Sequence, residues 1–305
     1  MKKLLLLLAA GIFFTSCHNS DDDDNNNDII PIRLTSKVVI EGRDALQNVQ
    51  IANGQRVSFF VTEASSTTDI VYDNVLLTAD GNGNFSYLNG EETVLYYPVE
   101  AVNVDFYAVH PYAETTDLSS VISFSVNQDQ STLTNYYNSD LLYSQVKDIS
   151  KTRSAVPMVF NHKLTKISFV VKQGVGINLS NLTSIQIMNL QPNIDMNVAD
   201  GALVPVAGTA ANINVYGVKG TGAGETQVSG MTAIVVPQSF VTDGTKQLFR
   251  LVINGVDFYY TPSVGILFEE GKAYNYTLTV NNTGIEVTSS IVDWLPGDDI
   301  EGDVS

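Results

Sequence analysis

The sequence predicts an all-β fold: two tandem β-sandwich domains behind a secretory leader and a flexible acidic leash. Three observations carry that prediction. Nearly every apolar segment alternates with period two or is short and β-branched. Gly, Asn, Asp and Pro separate the segments, often at a spacing of about ten residues. No long window combines apolar residues at i, i+3, i+4 and i+7 with good helix formers, so helix is expected only in short turns.

The leader comes first. Lys2 and Lys3 precede an apolar run from Leu4 to Phe14, which ends at Phe14-Thr15-Ser16-Cys17. A helix that spans a bilayer takes about 20 apolar residues, so this run has the length of a signal peptide instead. Cys17 is the only cysteine of the chain, and it follows the small Ser16 where a bacterial lipoprotein takes its lipid. An ordinary secretory signal with a chance cysteine is the plainer alternative. Residues 1–17 therefore read as a lipoprotein signal with lipidated Cys17. Stable attachment takes two or more acyl chains at about 0.8 kcal/mol per buried CH₂. Residues 18–32, with Asp21 to Asp24 and Asn25 to Asn27, repel, hydrate well and bury nothing. A solvated leash explains them better than a calcium site does.

The strands follow in order. Arg33 to Ile40 starts the series, then Arg56 to Val61, Ile70 to Tyr72, Asn84 to Tyr87 and Val94 to Tyr97. Val102 to Val109 is a clear alternation. The second half repeats the style at Lys166 to Val171, Ser184 to Met188, Thr232 to Val236, Gln247 to Ile253, Asp257 to Thr261 and Lys272 to Val280. Ile253-Asn254-Gly255-Val256 reads as a tight hairpin, because Asn-Gly supplies the positive φ values that such a turn requires. Residues 217–230, rich in Gly and Thr, read as a loop. The polar stretch Gln145 to Ala155 divides residues 33–155 from 156–305, with a boundary near Gly174 to Ser180 as the alternative. Each half is long enough for a sandwich with its own core.

Composition excludes some classes. The formal charge of −17 argues against nucleic acid and anionic membrane surfaces, both of which need a basic face. With Cys17 alone, no internal disulfide can form. No further segment is apolar for long enough to span a membrane as a helix.

Candidate chemistry is sparse. His18 lies in the leash, while His110 and His162 flank strands and read as structural. No cluster of His and Cys offers a metal site, no cofactor motif stands out, and no Gly-x-Ser-x-Gly elbow points to a hydrolase. Asp80, Asn82, Asn84 and Glu91 have the spacing of a calcium loop, but Phe85 stands where that loop needs Gly. A turn between strands explains them better. Tyr96-Tyr97, Tyr136-Tyr137 and Tyr259-Tyr260 could stack sugars, yet neighbours in a strand face opposite sides, so one ring of each pair is expected in the core. Arg43 lies in Glu41-Gly42-Arg43-Asp44, a turn where a trypsin-like protease could cut.

Ordered motifs resemble a known family. They include Tyr96-Tyr97-Pro98, Val104-Asp105-Phe106-Tyr107-Ala108, His110-Pro111-Tyr112, Ser139-Asp140-Leu141-Leu142-Tyr143 and Phe160-Asn161-His162-Lys163-Leu164. Later come Val236-Pro237-Gln238, Gly271-Lys272-Ala273-Tyr274-Asn275-Tyr276, Gly284-Ile285-Glu286-Val287 and Ile291-Val292-Asp293-Trp294. In this order they resemble the fimbrillins, the lipoprotein precursors of type V pili. The chain departs at Gly42-Arg43-Asp44 and Gly54-Gln55, where the family often shows Thr-Arg-Ala and Gly-Asp.

The resemblance implies two transthyretin-like sandwiches, export to the outer membrane and assembly into fimbriae. It implies that a trypsin-like protease cuts after Arg43 and removes a first strand carrying Leu34, Ser36, Val38 and Ile40. It also implies that a neighbouring subunit's strand fills the vacated groove, the donor here being the stretch with Ile285, Val287, Ile291 and Trp294. Expected partners are other pilus subunits, the protease, the outer membrane through the lipid, and a host or bacterial surface ligand. No enzymatic activity is expected. The rival class is a cell-surface glycan-binding lipoprotein of tandem sandwiches, which exposed aromatics on one concave face would favour.

Overall fold

A computed structural model of the chain describes residues 29–37, 51–87, 94–114 and 117–294. These residues are almost entirely β, as the periodicity predicts. Helix is limited to the five residues of α1 (Leu133–Tyr137) and a 3₁₀ turn at Leu179–Asn181.

The first unit is built on one antiparallel sheet. Its strands are β2 (Arg56–Glu63), β3 (Ile70–Ala79), β4 (Phe85–Tyr87), β5 (Val104–His110), β7 (Leu142–Ile149) and β9 (Asn161–His162), in the order β4-β3-β2-β5-β7-β9. Against it lies a two-stranded parallel pair, β1 (Leu34–Lys37) with β8 (Val156–Val159). Their shared core holds Ile30, Ile32, Leu34, Phe59, Leu95, Phe106, Val156, Met158 and Phe160.

The second unit is a sandwich. One sheet has the order β15-β10-β20-β21, from β10 (Thr165–Gln173), β15 (Gln227–Val235), β20 (Lys272–Asn281) and β21 (Gly284–Asp293). The other has the order β14-β11-β17-β18, from β11 (Leu182–Leu190), β14 (Ala211–Asn214), β17 (Phe249–Ile253) and β18 (Val256–Tyr260). Phe169 meets Phe249 edge-on between them at 5.1 Å. A small pair joins β16 (Gln238–Phe240) to β19 (Ile266–Phe268). The β17–β18 turn is the hairpin the sequence predicts: Asn254 and Gly255 have φ of 53° and 74°.

Two features lie beyond the sequence reading. First, β7 runs through Gln145 to Ile149, and β8 and β9 also pair with first-unit strands although they follow residue 155. Strand pairing of the first unit therefore continues to His162. Second, β6 (Val121–Ser125) joins β12 (Asn193–Asn197) and β13 (Leu203–Pro205) in a sheet made from both halves. Beneath it, Phe60, Tyr107 and Val109 share the larger core with Ile122, Ile194 and Met196. This explains why β5 is buried on both faces rather than alternating.

Candidate functional site

The N-terminal segment is an inserted strand. Ile30, Ile32, Leu34 and Ser36 are buried, whereas Ile29 and Arg33 face outward. The period of two comes from the pleat: alternate side chains enter the core while the backbone bonds sideways. On one flank β1 pairs with β8, and Val156 donates its N–H to the Arg33 carbonyl at 2.8 Å. On the other flank Ile32 donates to Leu95 (2.7 Å), Ser36 donates to Gly83 (2.8 Å), and Ile30 accepts from Tyr97 (3.0 Å). Tyr87 adds its hydroxyl to the Ile32 carbonyl at 3.2 Å.

The slot has firm walls. Asp80 folds the lip at residues 80–84 by accepting from the Asn82 and Asn84 amides at 2.7 and 3.0 Å and from Asn84 Nδ2 at 2.8 Å. These bonds, the Asn84 side chain first, hold the Asp80 carboxyl below its usual range. Asp80, Asn82 and Asn84, which imitate part of a calcium loop, are thus used within a turn, and Glu91 lies outside the described residues. Tyr97 and Phe106 close the slot floor with ring centroids 6.1 Å apart, and burial pushes the Tyr97 phenol up to about 12. The Ser36 hydroxyl is buried without a hydrogen-bond partner among the described residues, so one position of the strand fits imperfectly.

Of the residues expected in the removable strand, Leu34 and Ser36 both point into the core. Val38, Ile40, Arg43 and Cys17 lie outside the described residues. The expected donor residues all lie on or beside β21. This strand pairs with β20 over ten positions, from Asn281–Gly284 to Lys272–Asp293, and is the last in its sheet. Ile285 and Val287 pack partly against the core, Ile291 is exposed, and Trp294 is buried.

His110 and His162, both on strands of the first unit, are buried and joined through Asp140. His110 Nδ1 donates to the Asp140 carbonyl (2.9 Å), and its Nε2 lies 3.1 Å from the Gln55 side-chain amide. Burial lowers the His110 pKa, against the opposing pull of Asp140. His162 donates Nδ1–H to the Asp140 carboxylate at 2.9 Å and stacks on Trp294. Two tyrosine pairs behave as expected: Tyr97 is buried and Tyr96 exposed, and Tyr260 packs partly against the core while Tyr259 is exposed. The third departs from the expectation, because Tyr136 and Tyr137 lie on α1 rather than on a strand, and both pack against the core.

The sequence model of a fimbrillin-like family matches residues 45–294. The chain belongs to that family. A fimbrillin relative from Bacteroides uniformis, which carries the name fimbrium subunit Fim1C, is 31% identical over 240 residues, 72% of this chain and 74% of its own. Crystal structures of two proteins assigned to cell adhesion share the fold. One, from Bacteroides uniformis, is 24% identical with a TM-score of 0.65 over 87% of this chain and 99% of its own. The other, from Bacteroides ovatus, is 21% identical with a TM-score of 0.66 over 88% and 98%.

Sequence reasoning missed half of the slot. The parallel partner β8 follows directly on the polar stretch read as a divider, and its four-residue Val-Pro-Met-Val run gives little periodic signal. The stacking of Trp294 on His162 joins residues 132 positions apart in the chain (294 minus 162), and no local pattern announces it.

Proposed function

We propose that this chain is the precursor of a pilus subunit whose first strand is a removable plug. One observation carries the reading: Ile29 to Lys37 lies in a slot with backbone partners on both flanks and alternate side chains in the core. The precursor is exported as a lipoprotein, anchored in the outer membrane through Cys17 and exposed at the cell surface. A trypsin-like protease cuts after Arg43, and the plug leaves with its lipid. The family match beginning at residue 45 accords with a mature form that starts beside that cut. A strand from another subunit, with the stretch Ile285 to Trp294 as the donor, then enters the slot by β-augmentation. Head-to-tail insertion does not close on itself, so it yields a filament. The mature fimbria then meets a host or bacterial surface ligand.

The energetics require exchange rather than simple loss. Ile30, Ile32 and Leu34 each contribute about 1.5–3 kcal/mol by burial, and each backbone bond adds about 1 kcal/mol net. That is comparable with the total stability of a domain, about 5–15 kcal/mol. A severed plug therefore stays in place until a strand of matching pattern displaces it.

Mass spectrometry of the protein from its native surface tests this. A fragment starting at Asp44 and free of lipid is expected in fibres, and Arg43→Ala should abolish multimers while the fold persists. Ladder-like multimers in that variant, or only an intact lipidated chain starting at Cys17, would refute it.

A further inference from the structure

The last strand is held in an uneven way. Its ten residues pair with β20, yet their side chains bury little. Residues 288–293 are all exposed, with Ile291 at 54% and Val292 at 47%. Trp294 follows at once and is 3% exposed, the only buried residue from 284 to 294. Its indole stacks on His162 with ring centroids 3.8 Å apart and planes 11° from parallel. The Lys166 ammonium lies 5.8 Å from the ring centroid. The Trp294 backbone N–H donates to the Gly271 carbonyl at 2.7 Å.

The socket is a composite. His162 belongs to β9 of the first unit, and Lys166 belongs to β10 of the second. Asp140 fixes the His162 ring through Nδ1. Gly271 sits at φ +66°, which side chains rarely adopt, and donates its own N–H to Leu164 at 3.0 Å. Nearby, Lys272 pairs with Asp293. Backbone bonds at an exposed edge exchange with water at small net cost, so side-chain burial decides which end frays. For β21 that burial is concentrated at Trp294, the residue that directly follows the strand. Peeling from the C-terminal side must first extract the indole.

We propose that Trp294 is a latch: seated in the His162 socket it keeps Gly284–Asp293 in its own subunit, and withdrawn it frees that strand for a neighbour's slot. The second half of the statement rests on the pilus-subunit reading above. The latch differs from ordinary core packing in one respect: it governs one strand rather than the whole fold.

Hydrogen exchange of the full, unprocessed chain tests it. In Trp294→Ala, the β21 amides that bond β20 should exchange about a hundredfold faster, while the amides of β1 and β10 keep their rates. Trp294→Phe keeps a ring on His162 and should restore most of the protection. Unchanged β21 exchange, an equal rise in β1, β10 and β21, or a Phe variant as open as the Ala variant would each overturn the latch. The measurement is made on the monomer. A chain that exchanges as expected but never polymerises would sink the pilus reading and leave the latch standing.

Discussion

Replacing Ile32 by Ala isolates the force that holds the first strand in its slot. The Ile32 side chain is buried among the core residues of the first unit, whereas its N–H and carbonyl bond Leu95 and the Tyr87 hydroxyl. The substitution leaves those backbone bonds intact and deletes only apolar contact. Truncating a buried isoleucine to alanine costs about 2–5 kcal/mol, the spread reflecting how far the slot can collapse. Arg33→Ala is the matched control, because Arg33 is exposed on the opposite face of the same strand. It should change stability by no more than about 0.5 kcal/mol. Urea unfolding of the unprocessed chain reads both: Ile32→Ala lowers the midpoint with an unchanged slope, and Arg33→Ala leaves the midpoint in place. Equal effects for the two variants would show that the strand is not held by alternate burial. A loss below about 0.5 kcal/mol for Ile32→Ala would refute the reasoning as well.

Two further outcomes are expected. Ser36→Ala removes a buried hydroxyl that has no partner among the described residues, and it should be neutral or stabilising by up to about 1 kcal/mol; a clear loss in the urea midpoint would mean that the hydroxyl is paired. His110 should make the fold sensitive to mild acid. Its pKa is lowered on folding, so just below its ordinary value of 6.5 the unfolded chain binds the proton and the folded chain does not. Its stability contribution is complete above that value and falls as pH drops towards the lowered native value, by at most about 1.4 kcal/mol per pH unit. His110→Gln should flatten the stability curve just below pH 6.5, and an unchanged slope would place the proton uptake elsewhere.

The sequence by itself determined the all-β class, the hairpin at Asn254-Gly255 and the alternate burial that marks Leu34 and Ser36. These are local properties. A pleat imposes period two on any strand with one buried face, and a two-residue turn selects its residues by φ alone. The family resemblance was equally legible, because it rests on short motifs kept in order, and the match over residues 45–294 agrees with it.

Only the tertiary structure decided what those strands meet. β8 gave no strand signal beside the polar divider, and it is the parallel wall of the slot. β5 looked one-sided, and it is buried on both faces because β6 and β12 close over it from different halves of the chain. Trp294 read only as part of the expected donor stretch, and it is the residue seated between the two units. Each of these depends on contacts between residues far apart in sequence. A chain records which side chains avoid water, but the partner that excludes the water is chosen only when the whole fold closes.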